Sequence, residues 1–277
     1  MNPFLQPEKL RVLVIGAGGA IGRCLRLHWQ GRYALLRLAD IAPQGLAQGG
    51  EMVCSADVRD MDSLESAMAG IDCVVHMVTT QAVHDWNQVL PVNIEGTYNV
   101  FEAARRQGVR RVVFASSNHA VGFYRRERLL DDTVLPRPDS PYGVSKVFGE
   151  AVGRTYADKY GLSVACLRIG TFREPDRPAD ARQLLTWISH RDMAQLVRRC
   201  VEHEQYHFLV AYGVSNNVRS RWDNSHVKFL GYQPEDDSEV FAQEVLARGE
   251  AEDPIAEQFH GGFYCPVGFS GSTDQIS

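Results

Sequence analysis

Short apolar runs and amphipathic stretches alternate along the first two thirds of the chain. Val12 to Ile15 is an unbroken apolar run closed by a glycine-rich turn, and "AIGRCLRLHW" after it spaces apolar residues as a helix does. "YALLRLAD" is a second run, ending at Asp40, and "EMVCSADV" is a third. Met61 to Ala69 is helical in pattern, and "CVVHMV" is a fourth run. "IEGTYNVFEAARRQGV" repeats apolar residues at helical spacing and stops near Gly108, just before "RRVVFASS". A charged, proline-rich loop over 125–141 leads to a helical stretch from about Val144 to Tyr160 and then a sixth run, "LSVACLRIG". Strands alternating with helices, without internal repeats, predict an α/β fold: a doubly wound parallel sheet with right-handed crossovers.

After Thr171 the pattern loosens into irregular loops, a helix from about His190 to His203, a strand near "YHFLVAYG" and two short helices. Residues 1–170 are therefore expected to form the sheet core. Residues 171–277 form a smaller substrate-binding cap packed on it, at the carboxyl edge of the strands where such folds bind ligands.

Composition narrows the class. The chain has 277 residues, of which 44% are hydrophobic and 23% charged, as in an ordinary globular protein. A net charge of -5 offers no electrostatic footprint for nucleic acid, and short basic runs such as Arg105-Arg106 and Arg125-Arg126 read as solvated faces. Cys24, Cys54, Cys73, Cys166, Cys200 and Cys265 are scattered with no C-x-x-C pair, so neither a metal knuckle nor a disulfide framework is expected. The leader "MNPFLQPEKL" has no apolar signal core, and no run approaches the roughly 18 apolar residues of a membrane span. A reducing cytoplasm, with no membrane or nucleic-acid partner and no metal, is the expectation.

Two motifs carry chemistry. Gly16, Gly19 and Gly22, with Gly18 between, form G-x-x-G-x-x-G at a strand-to-helix turn, where bare backbone N–H groups and the helix N-terminus accept a pyrophosphate. Asp40 ends the second strand, 18 residues after Gly22, where a carboxylate accepts from an adenosine ribose and repels a 2′-phosphate. The expected cofactor is NAD, in a Rossmann-type core. Its contacts are expected at Gly16, Gly19, Ala20, Ile21, Gly22, Asp40, Ile41, Asp57 and Val58; Asp57 reads equally well as facing the adenine amino group or as part of a helix N-cap. The second motif is "YGVSK". A spacing of four puts Tyr142 and Lys146 on one helical face, where an ammonium can depress a phenol whose ordinary pKa is about 10. Ser117 lies 25 residues upstream at the end of the fifth strand.

From the first strand to about Gly170 these residues resemble the extended short-chain dehydrogenase/reductase superfamily. That resemblance implies hydride transfer catalysed by Ser117, Tyr142 and Lys146, with Lys146 also on the nicotinamide ribose and Asn93, in "VNIEGTYNV", supporting a proton relay. "FASSNHAVGFY", "YGVSK", "LRIGT", "TWISHRDM", "RWDNSH" and "FHGG" together are similar to the uronate dehydrogenase family, over nearly the whole chain. The resemblance implies NAD-dependent oxidation of a hexuronate, glucuronate or galacturonate, at C1 to a lactone. The substrate would be held by Gln81, Ser117, Asn118, His119, Tyr142, Thr171 (where the family places a serine) and Arg182, the last on the carboxylate. A homo-oligomer is expected.

The chain departs from that family at "HMVTTQ", where Val78 and Thr79 thicken a wall near the cofactor, and at the longer loop "REPDRPADAR". Rival readings are a nucleotide-sugar epimerase or reductase of the same superfamily, and an NAD-sensing regulator without turnover. "HRD" at His190 to Asp192 reads as a helix start, and His76 with Cys73 as structural. Asp223 and His226 read as a pair near the pocket or Asp223 as a helix N-cap.

"ADIAPQ" puts no basic residue beside Asp40 that could receive a 2′-phosphate. The value of kcat/KM with NAD is therefore expected to exceed that with NADP by a wide margin. Steady-state kinetics with each cofactor checks this, and equal values would remove the basis for the assignment.

Overall fold

The protein is described from a computed structural model, which covers residues 4–80, 84–249 and 251–276. The strands are β1 (Arg11–Ile15), β2 (Leu35–Asp40), β3 (Glu51–Ser55), β4 (Cys73–His76), β5 (Arg111–Ser117), β6 (Ser163–Ile169) and β7 (Phe208–Gly213). They form one parallel sheet in the order β3-β2-β1-β4-β5-β6-β7. The order reverses between β1 and β4, and ligands of such sheets lie in the crevice above that switch point. The helices are α1 (Ala20–His28), α2 (Met61–Met68), α3 (Trp86–Val89), α4 (Gly96–Arg106), α5 (Pro141–Tyr160), α6 (Gln183–Thr186), α7 (His190–Glu202) and α8 (Ala242–Ala247). One π-helical turn, Leu90–Glu95, joins α3 to α4. No helix of the described residues is long and apolar enough to cross a membrane.

Alternate residues of each strand feed opposite cores. Val12, Val14, Val113, Ala165 and Leu167 pack with Leu25 of α1 and Leu196 of α7 on one face. Leu13, Ile15, Val112, Phe114, Val164 and Cys166 pack with Leu64 of α2, Phe101 of α4 and Tyr156 of α5 on the other. Burial on both faces is why the strands read as continuous apolar runs. The seventh strand comes from the segment after residue 170 and pairs with β6 from Val164↔Phe208 to Ile169↔Gly213.

Helix α5 carries the Tyr142 and Lys146 pair, and its placement on the sheet is set by polar as well as apolar contacts. It starts one turn earlier than the apolar periodicity predicts: Ser140 is its N-cap, accepting from Gly143 N at 3.0 Å, and Pro141 opens its first turn. Its approach to the sheet is close, since a Cβ on Gly149 would lie 2.2 Å from Phe114 Cζ. One turn after Lys146, buried Glu150 accepts from Ser116 Oγ at 2.6 Å and bidentately from Arg168 of β6 at 3.0 Å each. Burial alone would lower the Arg168 guanidinium pKa, but the hydrogen bonds and charge of Glu150 outweigh it and the pKa is raised.

Removing one member of such a pair strands the other in a dry site. Glu150→Ala is expected to cost about 3–5 kcal/mol in urea unfolding, whereas replacing Glu150 and Arg168 together by Leu and Met should recover most of that loss.

Candidate active site

The glycine turn builds one end of a cleft. The α1 N-terminus, at Gly19, has no side-chain cap, whereas α2, α5 and α7 are capped by Asp60, Ser140 and Ser189. Its first N–H groups are thus left for a ligand. Gly16 has φ +87°, and a Cβ there would lie 2.9 Å from Met77 C, while one on Gly22 would lie 2.4 Å from Gly16 O. Only glycine lets β1, α1 and the end of β4 meet this closely. Asp40 Oδ2 accepts from Gly18 N at 2.9 Å, which holds the carboxylate at the edge of the turn.

From there a cavity of about 700 Å³ runs across the switch point, lined by the glycine turn with Ala20 and Ile21, by Asp40, Ile41, Asp57, Val58 and Arg59, and then by Ser117, His119, Tyr142 and Lys146. Its volume and its bare helix N-terminus fit a dinucleotide. Asp57 is not the N-cap of α2; that is Asp60, which accepts from Asp62 N at 3.0 Å. Asp57 instead pairs bidentately with Arg59, at 3.0 and 2.6 Å, and this pairing holds its carboxyl below the usual range.

At the other end β5 delivers Ser117, whose Oγ caps the short 3-10 turn Asn118–Val121 by accepting from His119 N at 3.2 Å. The polar residues that close this strand are therefore a built corner of the cleft, and Ser117, Asn118 and His119 are all buried. The Tyr142 hydroxyl faces the hydroxyls of Ser117 and Thr79, which favour its ionised form. Lys146 Nζ lies 5.2 Å from the centre of the Tyr142 ring and pairs with no carboxylate among the described residues. The expected depression of the phenol pKa is not what the cleft produces by itself. Burial pushes Tyr142 up to about 12 and Lys146 down to about 7, because either charge is costly once taken out of water.

Asn93 sits on the π-helical turn, buried. Its Oδ1 accepts from Thr80 N at 3.0 Å and its Nδ2 donates to Ser145 Oγ at 3.1 Å, which in turn donates to Tyr142 O. The amide thus ties the strand-β4 loop to the first turn of α5. π-turns of this kind recur at functional sites.

The remaining expected substrate contacts divide. His119 lines the cavity, with its Nδ1 2.6 Å from Asp139 Oδ2 and its ring stacked on Tyr264 at 3.9 Å. Asn118 turns away from the cavity: in the amide orientation that satisfies both ends it donates to Ile169 O at 3.1 Å and accepts from Arg182 Nη2 at 2.8 Å. Arg182 also donates from Nε to His260 O at 2.9 Å, and it lines a second cavity with Leu246 and Phe263 rather than the cleft that holds Ser117 and Tyr142. The Thr171 hydroxyl is paired with that of Thr186 at 2.8 Å rather than open to the cavity. Gln81 lies outside the described residues. His226 pairs with Asp132, not Asp223. Asp139, Phe172 and Tyr264 were not legible as site residues. Asp139 sits in "DSPYG" and reads as part of a helix start, and Tyr264 comes from an irregular segment with no periodicity.

With this geometry the chain belongs to the NAD dependent epimerase/dehydratase family, whose sequence model matches residues 12–192. Within that class it is similar to a uronate dehydrogenase of Pseudomonas putida, with 38% identity over 93% of this chain and 96% of that one. It is also similar to an NAD-dependent glucose-6-phosphate dehydrogenase of Haloferax volcanii, at 37% over 87% of this chain and 98% of that one. Among solved structures, a mutant uronate dehydrogenase from Agrobacterium tumefaciens complexed with NAD superposes with a TM-score of 0.88, at 37% identity, covering 93% of this chain and 97% of that one.

The depressed Lys146 predicts a signed effect on stability. Its pKa in the fold, about 7, is below the ordinary 10.5, so between these values the unfolded chain binds the extra proton and stability rises with pH. Below pH 7 the native state must bury the charge. Urea unfolding of Lys146→Met is expected to show its greatest gain over the parent near pH 6, a gain that shrinks as pH rises toward 10. A pH-independent difference would contradict the burial of a titrating amine.

Proposed function

We propose that this protein is an NAD-dependent dehydrogenase that oxidises C1 of a hexuronate to the lactone. Arg182, which lines the neighbouring cavity and reaches the cleft corner through Asn118, carries the carboxylate assignment. It is a buried guanidinium in no ion pair among the described residues, held by His260 O and by Asn118, which neighbours Ser117 and His119. A planar guanidinium binds a carboxylate bidentately. A phosphate dianion, as in a sugar 6-phosphate, asks for more positive charge than one arginine with Asp139 nearby supplies. Arg177, in the same loop, is already paired with Glu244.

Gly16, Gly19, Gly22, Asp40 and Lys146 would hold the cofactor. When bound, NAD supplies the acceptor for the hydride that leaves C1. The Ser117 and Tyr142 hydroxyls, which face the same cavity, hold the C1 oxygen between them, and Tyr142 takes its proton. Lys146, on the same face one turn on, supports the phenolate with its charge. Asn93 holds the Thr79-Thr80 wall and the first turn of α5 in place. A cyclic sugar that loses hydride and proton at C1 becomes a lactone, so the step needs no catalytic water.

All six cysteines are free thiols, which supports a reducing cytoplasm. The exposed apolar side chains Trp86, Tyr98 and Val144 of α3, α4 and α5 support a homo-oligomer.

The test is turnover, followed through absorbance of the reduced cofactor, with NAD and glucuronate, galacturonate, glucose 6-phosphate and nucleotide sugars. Arg182→Ala should lose about 2–5 kcal/mol of transition-state binding for glucuronate, a drop of tens-fold or more in kcat/KM, with neutral glucose unaffected. Preference for the sugar phosphate, or unchanged uronate kinetics in the variant, would sink the carboxylate assignment.

A further inference from the structure

His119 is held at three points, two of them on its ring. Its backbone N–H donates to Ser117 Oγ, its face stacks on Tyr264, and its Nδ1 meets Asp139 Oδ2 at 2.6 Å. The Asp139 carboxylate is itself immobilised. It is fully buried, its Oδ1 accepts from Ser140 Oγ at 2.8 Å, and its Oδ2 would be only 1.9 Å from a Cβ placed on either Gly122 or Gly261. Two segments far apart in the chain have glycine at the positions that leave room for this one oxygen, and they are joined directly by Gly261 N donating to Gly122 O at 2.8 Å. Among the described residues no group hydrogen-bonds His119 Nε2, and the ring lines the cavity beside Tyr142, ring centres 5.8 Å apart.

An ionised carboxylate only accepts hydrogen bonds. Burial holds the imidazole pKa below its ordinary value, so the ring is neutral and carries one proton. The nitrogen facing a carboxylate keeps that proton, which leaves the other nitrogen bare.

We propose that Asp139 is a positioning residue that locks His119 in the Nδ1–H tautomer, so that Nε2 presents an acceptor to a hydroxyl of the bound sugar. Its substrate-facing half rests on the reading of the protein as a sugar C1 dehydrogenase. The recognised hydroxyl must donate, so a ligand with a methyl ether or a deoxy carbon at that position is rejected. The slot between Gly122 and Gly261 exists to hold the carboxylate in line. Asp139 touches neither substrate nor cofactor and acts only through the ring.

The experiment uses the full-length protein labelled with 15N-histidine, with the His119 signals assigned by their loss in His119→Gln. In the parent protein the bare-nitrogen resonance is expected at Nε2 and the protonated one at Nδ1. Asp139→Asn replaces an acceptor by an amide that can donate to Nδ1, so the two resonances should exchange roles. In the same variant kcat/KM for the uronate should fall at least tenfold while the dissociation constant for NAD stays within twofold. An Nε2–H or doubly protonated ring in the parent at neutral pH would overturn the proposal, and this reading does not require the variant to fold. So would a variant whose tautomer and kinetics are unchanged. If the tautomers exchange as expected but no uronate is turned over, the functional reading falls and the Asp139–His119 assignment stands.

Discussion

Glu150 is the point at which the sheet and the helix that carries Tyr142 and Lys146 are joined. It sits two turns after Tyr142 and one after Lys146, and it binds Ser116, the neighbour of Ser117, together with Arg168 on the next strand. Arg168 continues the chain to Tyr212 of β7, whose hydroxyl donates to Asp131 O. One carboxylate thus sets the distance between the strand that carries the serine and the helix that carries the tyrosine and lysine. The network is buried, so it holds only if every member is satisfied, and it is. The absence of a side chain at Gly149 completes the arrangement by letting α5 lie directly on Phe114.

On that frame, the cleft is electrostatically unfinished. Burial drives both Tyr142 and Lys146 toward their neutral forms. Low dielectric makes any charge brought into such a site count for more than it would in water. The same dryness acts on Arg182, whose pKa burial pulls down although Asp139 pushes it back up. In such a site the ionisation of Tyr142, Lys146 and Arg182 depends on which charges are brought in beside them.

The end of the cleft proposed for the sugar is assembled from parts remote in sequence. Asn118 and His119 follow β5, Asp139 precedes α5, Arg182 precedes α6, and His260 and Tyr264 come from the last segment. Relatives named for uronates and for a sugar phosphate match this chain almost equally, at 38% and 37% identity. Overall likeness therefore does not separate the substrates, and the choice falls to the few side chains of this corner.

The amino-acid sequence alone determined the parallel sheet, the glycine turn, Asp40 and the Ser117, Tyr142 and Lys146 set. Each is local: a run of apolar residues, a turn that tolerates no side chain, or a helical spacing of four, and local rules can be read from neighbours in the chain. The role of Asp139, the turning of Asn118 onto Arg182, the closure of Thr171 onto Thr186 and the cap of α2 at Asp60 rather than Asp57 were decided by tertiary structure. So were the ionisation states, since Tyr142 and Lys146 are a spaced pair in the sequence but become a pair of disfavoured charges only once the fold removes their water. Which hydrogen-bond partner a polar side chain takes, and what its charge costs, depends on groups brought in from distant segments, and spacing along the chain carries no record of those.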